Sequence, residues 1–453
     1  MAEATVAAEP LRAKTIYSNG YRTWLLALLL VTYTLNFVDR TIVAVLAQPI
    51  KLALHLSDTQ LGLLGGLAFA AFYTGVGIPM ARLAERMSRV VIMAVSVALW
   101  SAMTAAGGLA QTYLQLALAR MGVGIGEAGF LPTSHSLISD HFPPSKRASA
   151  LAVFSLAIPL GSLIGAVSGG WIAQHLNWRI AFFTVGAPGL IVSLLVLSTL
   201  KEPPRGNLDA ADSSGPPPST LAVLRRLASK PGVIWAVVGA SCASIGGYGV
   251  GNFLGPYLNR EFGMGYAQAG LIGGLIVGAP TCIGTLFGGL ISDLIGKWDK
   301  RGYAWVPASG LLIATPVFVY ALMRPTWVEF FTVMLIGAIG QQLYLGPTFG
   351  VVNNSMEPRM RATAIAFMSV CLNLFGLGFG PTLTGLLSDK FGGALSGSAG
   401  ADVLSLCHES AKAACNISAT GLQYAMIVMT GFYALGGLAF LMASRTLRRD
   451  LAS

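Results

Sequence analysis

Charge is scarce in this chain. Asp, Glu, Lys and Arg make up 11% of its 453 residues, against roughly 25% in an ordinary soluble domain. The shortage argues against a soluble globule. It is also uneven, because the charges gather in short segments between apolar stretches. Several of those stretches exceed the roughly 20 residues a helix needs to cross a bilayer core. Strand-type alternation is missing, which excludes a membrane β-barrel. Cysteine is sparse, with five in all. Cys242, Cys282 and Cys371 fall in apolar stretches and read as small packing residues. Cys407 and Cys415 share one polar loop and would bond to each other if that loop faced an oxidising space; otherwise they are two free thiols. The first 20 residues lack the compact layout of a signal peptide, so the first apolar stretch is expected to remain as a signal anchor. Neither a metal-ligand cluster nor a phosphate-binding Walker loop is found, so no metal, cofactor or ATP hydrolysis is expected.

What the chain does have is apolar surface and glycine. Hydrophobic residues make up 54% of it, and 55 residues are Gly. Small residues let helices approach closely where no hydrophobic force drives them together. Twelve spans are expected, near 22–50, 58–81, 90–110, 112–141, 146–175, 178–200, 232–260, 266–296, 302–323, 327–356, 360–390 and 421–445. Many exceed the minimum length, which suggests tilted helices. The net charge of +10 is explained by the positive-inside rule rather than by nucleic acid. With both termini cytoplasmic, six basic residues lie on outer segments: Lys51, Arg179, Arg260, Arg324, Lys390 and Lys412. Arg40 and Arg120 lie inside the membrane, and every other Lys and Arg falls on an inner segment.

Residues 201–220, KEPPRGNLDAADSSGPPPST, cannot form a membrane helix. They separate six spans from six. The expected organisation is a cytoplasmic tail over 1–21, a six-helix bundle over 22–200, a cytoplasmic linker over 201–231, a second bundle over 232–445 and a tail over 446–453. The halves repeat each other. Arg147-Ala-Ser-Ala-Leu-Ala-Val-Phe-Ser155 returns as Arg361-Ala-Thr-Ala-Ile-Ala-Phe-Met-Ser369, with Pro144 and Pro358 at the same offset before each. Duplicated halves point to a transporter that rocks about a central site. The outer loop 391–420 receives no role. Its Asn416-Ile-Ser glycosylation pattern has meaning only on a eukaryotic secretory route.

Of the 19 acidic residues, only Asp39 and Glu127 fall well inside spans. The embedded bases are Arg40 and Arg120. A charge at the bilayer centre costs at least about 2.5–3.5 kcal/mol, so four of them in spans 1 and 4 call for partners or a use. Arg120 and Glu127 are seven residues apart and share a helix face. Asp39 and Arg40 point roughly 100° apart and cannot pair with each other. Asp39 with Arg120, or Glu127 with Arg40, are both feasible, and the sequence does not choose. Burial favours the neutral form of a carboxyl and a nearby guanidinium favours its charged form. Helix movement that exchanged those surroundings would tie proton release to conformation. Arg40 and Arg120 would then suit a phosphate headgroup. The bland alternative is a permanent network that only fixes helix packing. Asn36, Gln341, Tyr344 and Asn373 are weaker cavity candidates and equally suit interhelical bonding. His135 reads as a packing residue before a proton relay.

The loop Ala81-Arg-Leu-Ala-Glu85-Arg86-Met-Ser88-Arg89 resembles the loop signature of the major facilitator superfamily, with Ala81 and Ser88 where Gly is typical. Gly289-Leu-Ile-Ser-Asp293-Leu-Ile-Gly296-Lys297 is similar to its second copy. Tyr33-Thr-Leu-Asn36-Phe-Val-Asp39-Arg40 in span 1 and Arg120-Met-Gly-Val-Gly-Ile-Gly126-Glu127 in span 4 resemble spinster-type transporters, over nearly the whole chain. That resemblance implies a cytoplasmic latch, here assigned to Glu85, Arg86, Arg89, Asp293, Lys297, Arg147 and Arg361. It also implies cargo such as sphingosine phosphate or a lysophospholipid, and proton drive in some members. The glycines Gly161, Gly165, Gly169 and Gly170 loosely resemble the superfamily's antiporter motif but lack its central Gly-Pro.

Two enzyme patterns are decoys. Gly124-Ile-Gly126-Glu-Ala-Gly129 has the dinucleotide spacing without a preceding strand. His135 and Asp140 have acyltransferase spacing, but about 140° separates them on a helix. The resulting expectation is an all-α membrane protein with twelve transmembrane helices in two pseudo-symmetric six-helix bundles, a monomer and not an enzyme. It would sit in the cell membrane (the inner membrane in a bacterium) among membrane lipids, carry an amphipathic anion and exchange protons. Rival readings are a carrier of small organic anions or drugs, a channel, and a membrane lipid enzyme.

Overall fold

The computed structural model describes residues 17–204, 219–357, 360–396 and 412–451. Within them, the side chains of Ile78, Ala81, Glu85, Pro144, Ser145, Ala148, Ala362 and 412–415 fall outside the description. Cys407 and the Cys415 side chain, and with them the disulfide question, therefore lie outside the described residues.

Eleven helices among the described residues are long and apolar enough to cross a membrane. Spans 1 to 3 are Asn19–Val45, Asp58–Ala84 and Arg89–Gly107. Spans 5 and 6 are Ser149–His175 and Trp178–Thr199. Spans 7 to 12 are Pro231–Phe262, Tyr266–Gly296, Gly302–Leu322, Trp327–Ser355, Thr363–Ser396 and Asn416–Asp450. The expected span 4 is two helices, Tyr113–Glu127 and Phe130–His141. Pro132 has no N–H to offer the carbonyl of Ala128, so the ladder breaks there. Ala128 and Gly129 keep right-handed backbone angles, and the chain continues in the same sense.

Other boundaries differ from the sequence reading for similar reasons. Span 1 stops at Val45 and a separate helix, Ala47–Leu54, follows; Pro49 cannot donate to the Val45 carbonyl. The last helix runs from Lys412 to Asp450 and so begins inside the loop read as irregular. The linker carries a short helix, Thr220–Ala228, capped by Ser219 and buried through Val223 and Leu227. Span 11 widens to a π-helical stretch over Leu372–Phe379.

Helix starts are marked by polar caps. Ser18, Ser88, Thr112, Asn177 and Thr326 each accept a hydrogen bond from a first-turn N–H. In hydrocarbon such groups have no water to turn to, so caps belong where helices leave the oil. Long apolar residues stand exposed at helical spacing, such as Leu286, Leu290 and Leu294 at 60%, 56% and 52%. A stripe of this kind on a helix exterior fits a lipid-facing surface.

Span 1 packs on span 5, span 3 on span 6, and span 2 on the first part of span 4. In the second half span 12 packs on spans 7 and 9. The halves meet along spans 5 and 8 and along spans 2 and 11. Among the described residues the contacts between halves concentrate at the end away from the linker, called here the far end. There Asp389 of span 11 accepts from Thr59 of span 2, and Arg260 of span 7 bonds Asp58.

Candidate functional site

The four embedded charges form two ion pairs, both within the first half. Arg40 donates through Nε to Glu127 Oε2 at 2.7 Å. Arg120 donates through Nη1 to Asp39 Oδ2 at 3.3 Å, and the Thr104 hydroxyl donates to Asp39 Oδ1 at 2.8 Å. Asp39 and Arg40, roughly 100° apart on span 1, thus reach different partners. Both pairings that were open from sequence exist together.

The pairs differ in access. Asp39 and Arg120 are 1% and 3% exposed, so the Arg120 guanidinium is committed to Asp39 and sealed. Arg40 keeps 18% side-chain exposure, whereas Glu127 has none. Only Arg40 of the quartet faces open space. Its guanidinium stacks over Tyr73, Phe69 and Phe37 at 4.7, 5.2 and 5.3 Å from the ring centres. Arg120 also lies over Phe69, at 5.2 Å. One ring therefore touches both cations. Glu127 Oε1 and Arg120 Nε are buried without a hydrogen-bond partner.

Tyr248 of span 7 is within electrostatic reach of Arg40 and Tyr73. It is 38% exposed although protein surrounds it. A side chain both accessible and enclosed lines a chamber rather than the lipid face. His135 has the same character and meets Phe154 edge-on at 5.8 Å. Phe154 in turn stacks on Tyr33 at 4.5 Å. Arg40 thus has aromatic neighbours from both halves, Phe37, Phe69 and Tyr73 of the first and Tyr248 of the second. Tyr33, Phe69, Tyr73 and Tyr248 escaped the sequence reading because aromatic residues on apolar helices look like core.

The weaker candidates fare differently. Asn36, Gln341 and Tyr344 are 2%, 5% and 5% exposed and face no open space in this conformation. Asn373 donates to the Ser369 carbonyl of its own helix. The residues assigned to the latch are not brought together among the described residues. Arg89 is buried in the first half, bonded to Asp140, Ser136, Glu202 and the Pro203 carbonyl. Partial burial works against ionisation of Glu202, yet hydrogen bonds from Arg89, the Val90 N–H and the Ser88 hydroxyl outweigh it and hold its carboxyl below the usual range. Asp293 accepts from the Tyr303 hydroxyl. Arg86 and Lys297 are exposed, and the Glu85 side chain is outside the description. Arg147 and Arg361 make the same contact in each half: the Nε of each donates to the carbonyl five residues earlier, Phe142 and Met356. The repeat seen in sequence is thus a repeated turn in space.

The dinucleotide-like glycines are packing seats. A Cβ on Gly124 would lie 2.7 Å from the Phe69 carbonyl oxygen, and one on Gly126 would lie 2.6 Å from the Trp100 nitrogen. Span 4 can carry Arg120 and Glu127 to the centre only because its backbone rests directly on spans 2 and 3.

A profile of the Major Facilitator Superfamily matches residues 29–381 and, again, 237–452. The chain belongs to the major facilitator superfamily. It is 34% identical over 421 residues to an MFS-type efflux pump of Mycolicibacterium smegmatis, covering 92% of this chain and 91% of that one. It is 28% identical over 375 residues to the sphingosine-1-phosphate transporter of Danio rerio, covering 79% and 74%. A solved bacterial homologue of the human lysosomal transporter spinster, inward-facing and unoccupied, superposes with a TM-score of 0.86 at 33% identity, over 96% of this chain and 99% of that one. The protein is therefore a multi-pass membrane protein of the major facilitator fold, related to spinster transporters.

Proposed function

We propose that this protein is a secondary carrier that moves an amphipathic anion, such as a lysophospholipid or sphingolipid phosphate, by alternating access coupled to protons. The observation that carries this reading is the Arg40–Glu127 pair beside open space. Glu127 is sealed, and Arg40 is both partly accessible and caged by Phe37, Phe69 and Tyr73. The cage and Tyr248 offer apolar and aromatic surface to a lipid-like chain. The guanidinium offers its remaining N–H groups to a phosphate.

Coupling follows from competition. Ionised Glu127 and an anionic headgroup both draw on the Arg40 guanidinium. A proton on Glu127 weakens that claim and frees Arg40 for cargo; loss of the proton reclaims Arg40 and expels the anion. Proton and anion binding are then mutually reinforcing, as linkage requires. Asp39 serves as the second proposed proton site, held in this state by Arg120 and Thr104. Arg120 contributes to headgroup binding only if helix movement opens its pair with Asp39. Asn36, Gln341, Tyr344 and Asn373 would join the cargo path in a conformation that uncovers them. The seven latch residues would assemble when the linker end closes.

The basic bias of the linker side supports a cytoplasmic location for the termini. The far end then faces outward, and the conformation is inward-open, in keeping with the conformation of the spinster homologue it resembles. A second reading, export of amphipathic drugs, is favoured by the similarity to the efflux pump.

Transport into proteoliposomes, with and without a pH gradient, tests the proposal across lysolipids, sphingolipid phosphates, sugars and cationic drugs. Wild-type protein is expected to move anionic lysolipids faster with the gradient. Glu127→Gln is expected to keep its expression and lose the pH dependence. Wild-type pH dependence in that variant sinks the coupling scheme, and preference for cationic drugs selects the second reading.

A further inference from the structure

The loop joining spans 8 and 9, at the linker end of the second half, presents a surface outside the chamber beside Arg40. We propose that this loop is a docking site for an anionic phospholipid of the surrounding bilayer, whose phosphate lies against Lys297, Lys300 and Arg301 while Trp298 enters the boundary between headgroups and acyl chains. The proposal rests on where the loop stands relative to lipid, whatever the cargo and whether or not protons are coupled.

Two lipid-facing stripes run into this loop. On span 8, Leu286, Leu290 and Leu294 stand exposed four residues apart, and four further on comes Trp298, 81% exposed. Span 8 ends at Gly296, yet the Trp298 N–H still bonds the Ile295 carbonyl, so the chain has not left the helical path. At 1.5 Å per residue, Trp298 stands about 6 Å beyond Leu294. On span 9, Trp305, Ile313 and Tyr320 form a second exposed stripe. A loop held between two such stripes lies where hydrocarbon gives way to headgroups, the level that Trp side chains favour.

The charges of the loop give the surface its sign. Lys297 and Lys300 are exposed and Arg301 is half-buried. The single acid among them, Asp299, turns its Oδ1 onto the Arg301 N–H at 2.9 Å and so is occupied with the loop's own backbone. Cations close to a bilayer surface each raise affinity for anionic lipid by about fivefold. The counterpart loop of the first half, between spans 2 and 3, is built otherwise. It reads Arg86-Met87-Ser88-Arg89, with no Trp, and Arg89 is folded inward onto Asp140 and Glu202. Trp24, at the same end of the first half, spends its indole N–H on the Thr199 hydroxyl. Arg89 and Trp24 are thus committed to protein, whereas the second half offers Trp298 and its neighbouring cations outward.

Native mass spectrometry of the full-length protein, exposed to equal amounts of diacyl phosphatidylglycerol and diacyl phosphatidylcholine, tests the site. Wild-type protein is expected to retain phosphatidylglycerol at least about tenfold over phosphatidylcholine. Lys297→Gln, Lys300→Gln and Arg301→Gln together should bring that ratio below about twofold. Removing as much charge elsewhere at the same end, with Arg82→Gln, Arg445→Gln and Arg448→Gln, should leave the ratio near that of the wild type. Trp298→Ala should lower the amount of both lipids retained and keep their ratio, and Arg40→Lys should change neither. A wild-type ratio in the loop variant, or an equal fall in the control variant, overturns the proposal. A fall in Arg40→Lys places the lipid in the central chamber and overturns it as well. So does a dimer that Trp298→Ala dissolves, which would assign the exposed Trp to a second copy of the chain. If the triple loop variant does not yield monodisperse protein, Lys297→Gln combined with Lys300→Gln replaces it, and a wild-type ratio there overturns the proposal.

Discussion

The two buried charge clusters of this protein use the same chemistry to different ends. The central quartet pairs Asp39 with Arg120 and Arg40 with Glu127 entirely within the first half. The far-end cluster joins Asp58 of the first half to Arg260 of the second. Pairs confined to one half can persist while the halves move. Pairs that bridge the halves must break whenever the far end opens. Location relative to the moving boundary, more than burial or distance, separates the two roles. On the proposed function the first cluster serves the stability of one bundle and the cargo, whereas the second ties the two bundles together.

This comparison can be broken by substitution. The largest effect is expected from Asp39→Asn, which leaves Arg120 buried beside a neutral partner. Removing one member of a buried pair typically costs about 3–5 kcal/mol. The variant should lower the apparent unfolding temperature in detergent. An unchanged unfolding temperature would show that the Asp39–Arg120 pair does not hold the first half together. A smaller effect is expected from Arg40→Lys. Lysine keeps the charge but loses the planar stack over the three rings and the forked donors. The KM for an anionic lysolipid should rise about tenfold, near 1.4 kcal/mol, with kcat less affected; an unchanged KM would remove Arg40 from the cargo site. The smallest effect is expected from Glu202→Gln, beside Arg89 at the linker end. Because Glu202 is held below the ordinary carboxylate range, its contribution is complete at neutral pH. It is lost as pH falls through the folded-state value. With its side chain 32% exposed, the contribution is at most about 1 kcal/mol. The substitution should cause a slight loss of stability at pH 7 and a shallower acid decline; an unaltered acid profile would show that the pair is inert.

Much of the architecture was legible beforehand because the bilayer imposes it. A scarcity of charge, long apolar runs and a basic bias on alternate loops specify spans and their order. The Arg147 and Arg361 repeats identified the halves because the same turn is built twice. The differences are local. Pro132 and Pro49 broke helices that hydropathy drew as continuous, since hydropathy does not register a missing N–H. Asp58 and Arg260 carry no such mark in the sequence, because residues at span ends are normally solvated. One available signal is that Lys51 and Arg260 lie at the outer ends of counterpart spans 1 and 7 in a six-plus-six repeat, which puts two cations near one axis.

The sequence by itself determined that Asp39, Arg40, Arg120 and Glu127 lie in oil and require partners, because the cost of an unpaired ion there holds whatever the fold. Only the tertiary structure decided which carboxylate meets which guanidinium, and that Arg40 alone of the four faces open space. It also decided that Asp58, seemingly a surface residue, is clasped between halves. Pairing and access depend on where helices distant in sequence touch. Those contacts are set by the glycine seats and proline breaks of several spans acting together, which no single stretch of the chain contains.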